Sequence, residues 1–154
     1  MIFNFEVKDL SEDDLLMIFV YFAYPKINID YIKSLLECPS NRVAFYCFDD
    51  VFDIRNCPSC MIYSKDDRDY ENIYYIHIIC THRRFRGFGY GTALLNGFVK
   101  GPGRILLSAL DDVVSYYQNC DFEVIDCDLN DYPELAKYEK QEDDKMYSVM
   151  EKFV

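Results

Sequence analysis

The sequence has no tryptophan, no internal repeat and no linker-like tract. It also lacks any apolar run near the roughly eighteen residues that a membrane-crossing helix requires, so a membrane span is not expected. Positive charge is scarce: 16 Lys and Arg against 27 Asp and Glu, a formal net charge of −11. Such a chain repels phosphate backbones, which argues against nucleic-acid binding and favours a cationic partner such as a small amine, a polyamine or a basic peptide. The opening MIFNFEVKDL lacks the basic start and apolar stretch of a secretory leader. Together with seven cysteines, an odd count spread over apparent core strands, this predicts a reducing, intracellular and cytoplasmic setting with the thiols acting as small core residues. A length of 154 residues fits one domain, 1–154. Oligomeric state stays open, a homodimer being one option.

What is present is a core. Hydrophobic residues make up 51% of the chain, enough to exclude disorder as the default. Residues 2–7 read as an opening strand, and Ser11 before Glu12, Asp13 and Asp14 reads as an N-cap with acids in the first helical turn. That helix is expected to end at Pro25. A second helix is predicted over 30–37, then strands over 42–48 and 60–64. Residues 73–81 are nearly all β-branched or aromatic, the pattern of a strand covered on both faces. A helix over 92–99 follows, stopped by Gly101-Pro102-Gly103. A buried strand over 104–110, a helix opened by Asp111 and Asp112, and strands over 122–127 and 146–153 complete the reading. An acidic, partly helical connection, 128–144, separates the last two strands. The class is mixed α+β.

Three of the six glycines, Gly87, Gly89 and Gly91, alternate between the 73–81 strand and the next helix. Glycine permits positive φ and close approach of an anion, and the amides at a helix start form a nest for phosphate oxygens. Arg83, Arg84 and Arg86 concentrate positive charge there, so the loop suits a pyrophosphate. The GxGxG spacing is not the GxGxxG of dinucleotide-binding folds, and no Lys-Ser or Lys-Thr pair follows as in a P-loop.

The run Arg86-Gly87-Phe88-Gly89-Tyr90-Gly91-Thr92-Ala93-Leu94-Leu95 resembles the acetyl-CoA-binding motif of the GNAT acetyltransferase superfamily, R/Q-x-x-G-x-G/A followed by a helix with paired leucines. A second similarity lies downstream, where Tyr117 is followed by Asp121-Phe122 at the positions of the family's Gly-Phe. The resemblance implies a GNAT fold: a mostly antiparallel sheet of about seven strands, splayed between strands 4 and 5 and flanked by helices. It implies acetyl-CoA as co-substrate, with pyrophosphate on the amides of Arg86, Gly87, Phe88, Gly89, Tyr90, Gly91 and Thr92. The pantetheine arm would pair with the main chain of Ile79, Cys80 and Thr81. The implied activity is direct acetyl transfer to a primary amine, and the alternative is a non-catalytic GNAT-fold module that binds CoA as a sensor or assembly part.

On the same resemblance Tyr117 falls on the general acid that protonates the leaving sulfur. Tyr75 takes the place of a glutamate base used by histone-type relatives. His77, two residues on and so on the same strand face, has a suitable pKa for that task, with Glu71 or an ordered water chain as further options. Asp121 replaces a turn glycine, whose geometry aspartate tolerates. Leu110 replaces an asparagine that contacts pantetheine in many members, and Asp111 or Ser108 would have to substitute. Cys57-x-x-Cys60 offers half a zinc site, which Cys38 and Cys47 could complete, but two unpaired thiols at a hairpin is the preferred reading and no metal is expected. Cys80 is expected to pack rather than to carry an acetyl group. The acidic runs 49–53 and 139–144 are expected to attract a cationic acceptor.

Overall fold

A computed structural model describes residues 1–23, 28–66, 72–138 and 147–154. The elements are β1 (Ile2–Glu6), α1 (Glu12–Ala23), α2 (Ile29–Glu37), β2 (Arg42–Tyr46), β3 (Ser59–Asp66), β4 (Ile73–Thr81), α3 (Tyr90–Gly97), β5 (Arg104–Leu110), α4 (Val114–Asn119), β6 (Glu123–Val124), α5 (Pro133–Ala136) and β7 (Tyr147–Phe153). Hydrogen-bonded neighbours in the seven-stranded sheet run β1-β2-β3-β4-β5-β7-β6. The β1–β2, β2–β3, β5–β7 and β6–β7 pairs are antiparallel, and β4–β5 is parallel. The chain divides into two compact units, Met1–Ser64 with Ile78–Phe98 and Lys65–His77 with Val99–Val154, and β4 runs through both.

In the first unit α1 buries Leu15, Phe19 and Phe22, spaced four and three apart on one stripe, and α2 buries Ile32, Leu35 and Leu36. Each such side chain removed from water contributes about 1.5–3 kcal/mol. Both helix starts follow from sequence: Ser11 Oγ accepts the Asp14 N–H at 3.4 Å, and Asn28 Oδ1 accepts that of Asp30 at 2.9 Å. Helix α1 is described to Ala23, so the Pro25 stop lies outside the described residues, as do Glu71 and the acidic run 139–144.

The cysteine reading needs correction. Cys47 and Cys57 form a disulfide, with Cα atoms 4.1 Å apart, so neither is a free core thiol and the four-cysteine arrangement with Cys38 and Cys60 does not exist. Cys47 extends β2 by exchanging hydrogen bonds with Met1, and a 3-10 turn at Ile54–Asn56 returns the chain to it. Spacing alone could not choose this pair among seven cysteines. Cross-linking so short a loop contributes about 2–3 kcal/mol through the unfolded state. Cys60 and Cys80 are buried and outside any disulfide, as expected of packing thiols.

In the second unit β5 contributes Ile105, Leu106, Leu107 and Ala109 to the core and pairs over its whole length with β7. Arg104 Nε donates to Glu151 Oε2 at 2.9 Å, and a second nitrogen donates to the Tyr132 hydroxyl at 3.2 Å. The strand expected over 122–127 is shorter, Glu123–Val124 pairing with β7 and the Ile125 N–H adding a bond to Val149 O at 3.0 Å. Its two residues are exposed, so alternation there has little core to enforce it. Among the described residues no helix is long and apolar enough to cross a membrane.

Candidate functional site

The end of strand β4, from Ile78, and the loop after it carry the candidate binding surface, which lies within the first unit. The chain leaves β4 at Thr81, makes a 3-10 turn at Arg83–Phe85, and enters α3 through Gly87 and Gly89. Both glycines have φ of 84°, the left-handed region that a side chain resists, and a Cβ at either would meet nothing within 4 Å. The space over the loop is therefore open, and what demands glycine is the backbone. Gly89 is the N-cap of α3, presenting the first-turn amides outward. Gly91 differs from the other two: it is buried inside α3 with an ordinary φ.

The expected cofactor residues separate into main-chain and side-chain roles. Arg86 is exposed, yet its guanidinium ties the loop down: Nε donates to Thr81 O at 3.1 Å and a terminal nitrogen to Phe22 O, at the end of α1, at 2.8 Å. Its amide donates to Arg83 O at 3.5 Å, closing the 3-10 turn. Phe88 is 70% exposed and stacks at 6.3 Å on Tyr90, which in turn packs at 5.3 Å on both Tyr46 and Phe48. Thr92, half-buried, lies in the first turn of α3.

Upstream, Cys80 O accepts the Ser59 hydroxyl at 3.0 Å and His82 N donates to Pro58 O at 2.8 Å. In a strand, successive residues point their N–H and C=O groups to opposite sides. Cys80 and His82 therefore serve the β3 side, whereas Ile79 and Thr81 turn their main-chain groups away from β3. Thr81 O already holds Arg86, which leaves Ile79 as the least engaged of the three expected pantetheine partners. Burial pushes the Cys80 thiol up to about 12, so it is protonated at neutral pH and a poor nucleophile.

The expected catalytic side chains lie in the second unit. Tyr75 and His77 share one face of β4. Tyr75 is buried with Leu106, Leu135 and Val149. His77 is half-buried and meets the Tyr138 ring at 4.7 Å, just beyond α5. Burial, assisted by the Lys137 charge, lowers its pKa to about 3, so the imidazole is neutral and weakly basic at pH 7. Tyr117, on α4, is half-buried and packs at 5.8 Å on Phe122. Asp121 sits at φ of 69°, and its N–H and that of Phe122 return to Gln118 O and Tyr117 O, a left-handed helix stop in which aspartate stands for glycine as expected.

The β4–β5 register runs from Ile73↔Arg104 to Ile76↔Leu107 and ends there, although both strands continue. This is where the sheet was expected to open.

The sequence reading missed His82 and the aromatic rings around it. His82 Nδ1 accepts the Arg84 N–H at 3.1 Å, and its ring lies 5.2–5.5 Å from those of Tyr21, Phe22 and Phe85. These partners come from α1 and the loop, sixty residues apart in sequence, so no local spacing could have signalled them.

Comparison with known proteins follows the same lines. No family model matches the chain, and no curated protein matches it in sequence. Solved structures do match. A protein described as a putative GNAT-family acetyltransferase from Desulfovibrio desulfuricans is similar at a TM-score of 0.65 and 14% identity, covering 99% of each chain. Arabidopsis thaliana Naa50, solved with the bisubstrate analogue CoA-Ac-MVNAL, is similar at 0.59 and 17%, again over 99% of each. Tetrahymena GCN5 is similar at 0.62 and 16%, over 92% of this chain and 85% of its own. The chain has the GNAT fold.

Proposed function

We propose that this protein binds acetyl-CoA and transfers the acetyl group to a primary amine. The observation that carries the reading is the pair of left-handed glycines, Gly87 and Gly89, opening α3 directly after β4, with unfilled space over both. Pyrophosphate oxygens would lie on the amides of Arg86 to Thr92, and Arg83 would supply the nearby charge. Ile79 would offer the strand-edge hydrogen bonds for the pantetheine arm.

In this reading the neutral amine attacks the thioester carbonyl, forming the C–N bond. The tetrahedral intermediate collapses with cleavage of C–S, and the thiolate takes a proton, the role that the family resemblance gives to the Tyr117 hydroxyl. The proton released by the amine leaves through water, because His77 is too weakly basic to hold it at pH 7. A peptide or other cationic amine fits the acidic chain, and two neighbours in fold are solved with peptides: the Naa50 complex and a NatC complex bound to Gag peptide and CoA.

The weakness of His77 as a base also favours a second reading, a GNAT-fold module that binds CoA without turnover. Release of free thiol from acetyl-CoA, followed over polyamines, arylalkylamines and peptides with free N-termini or lysines, separates the two. Amine-dependent release is the expected result. Saturable CoA binding with no release across the panel would replace the enzyme by the binding module.

A further inference from the structure

A cavity of about 610 Å³ lies in the first unit, within the size range of small-molecule sites, and the acetyl-transfer reading leaves it unassigned. It is bounded by α1, the 54–58 segment and the 82–85 segment. Tyr21, Phe22, Phe48 and Phe85 wall it with rings, Phe48 and Phe85 meeting edge to face at 5.2 Å. The far wall is fixed by the Cys47–Cys57 disulfide, since Cys57 lines the cavity. Tyr21 and Phe48 remain 64% and 48% exposed, so the rings are reachable from solvent.

The polar groups are few and unequal. Arg55 is held by Asp53 through two hydrogen bonds at 3.2 and 3.1 Å, which neutralises it. The Arg84 guanidinium has no hydrogen-bond or ion-pair partner among the described residues. His82 uses Nδ1 to accept from Arg84 N, so its neutral ring carries hydrogen on Nε2 and can only donate there. Burial and the Arg84, Arg83 and Arg86 charges lower the His82 pKa, which keeps it in this form. Asp14 is the one unneutralised carboxylate of the lining. It lies two turns back from Tyr21 on α1, roughly 10 Å along the axis.

We infer that this cavity is a binding site for a planar aromatic anion, its ring among Phe22, Phe48 and Phe85 and its acidic group on Arg84 and His82. Stacking on aromatic walls selects a flat apolar body, and two donors without a competing acceptor at one end select a carboxylate or sulfonate. Asp14, at the opposite end, discourages a second negative charge. The site is separate from the glycine loop, although the 82–85 segment joins the two, and the inference does not depend on acetyl transfer.

The test titrates 2-naphthoate and its cationic counterpart 2-naphthylmethylamine into the 15N-labelled protein, with and without saturating acetyl-CoA. Expected are saturable shifts of the 54–58 and 82–85 amides by naphthoate, an affinity at least about tenfold weaker for the amine, and no competition from acetyl-CoA. Arg84→Gln and Phe48→Ala should each weaken naphthoate about tenfold. No saturable binding, tighter binding of the amine, an unchanged affinity in both variants, or displacement by acetyl-CoA would each overturn the site. Displacement would assign the cavity to the cofactor instead, while failure of acetyl-CoA itself to bind leaves this titration interpretable on its own.

Discussion

The two units carry candidate groups of different kinds. The glycine loop of the first unit would work through main-chain amides whose directions are set by φ at Gly87 and Gly89. The candidates of the second unit would work through side chains: Tyr75 and His77 on β4, and Tyr117 on α4. A main-chain site depends little on the side chains around it, and Phe88 in the loop stands 70% exposed. A side-chain site depends on every neighbour. His77 is the case in point, because the burial and the Lys137 charge that accompany α5 and Tyr138 remove its basicity.

The largest effect should come from breaking the main-chain site. Gly89→Val places a β-branched residue at φ of 84°, where it cannot sit without moving the helix start. Acetyl-CoA affinity by isothermal titration should fall by about a hundredfold or more, equivalent to losing two strong amide contacts. Retained affinity would locate the cofactor elsewhere. Next in size is Tyr117→Phe, which removes one hydroxyl from the side-chain site. Turnover with whatever amine proves competent should drop about a hundredfold while CoA affinity stays unchanged. Equal turnover would remove Tyr117 from the chemistry, and a parallel loss of CoA affinity would mean that it binds rather than donates.

A smaller effect separates structure from catalysis at His77. Its folded pKa lies below that of the unfolded chain, so between about 6.5 and 3 the unfolded state binds more protons. Stability is therefore full above about pH 6.5 and declines as the pH falls, by at most about 2 kcal/mol between pH 7 and pH 5. Urea unfolding at the two pH values should show this slope, and His77→Gln should flatten it. A His77→Gln enzyme that keeps its turnover would support the water route for the amine proton. Smallest of all, Asp121→Gly should relieve the φ of 69° and raise stability by about 0.5–1 kcal/mol, a melting-point gain of a few degrees with no change in CoA affinity. A loss of stability would mean that the aspartate carboxylate contributes more than its backbone costs.

Legibility in the sequence followed the same division. Strands 73–81 and 104–110 were readable because both are apolar runs whose character needs no partner to interpret, although β4 is mostly half-buried rather than covered on both faces. The glycine loop was readable because positive φ leaves a residue-type signature, and Asp121 was readable for the same reason. The Cys47–Cys57 bond was not, since pairing depends on how the 48–56 loop closes rather than on spacing. Nor was the environment of His77, where the Tyr138 ring and the Lys137 charge come from some sixty residues away. The Arg86 side chain was taken with its loop, yet its guanidinium reaches back to Phe22 O and Thr81 O, a long-range staple that no motif encodes.

In the reading proposed above, the loop from Arg86 to Thr92 holds acetyl-CoA. Isothermal titration of acetyl-CoA into the purified protein, paired with a melting curve at each ligand concentration, tests it most directly. One saturable site per chain is expected, with a melting temperature that climbs with ligand by an amount fixed by the measured affinity. No heat of binding and no shift at saturating acetyl-CoA would contradict it.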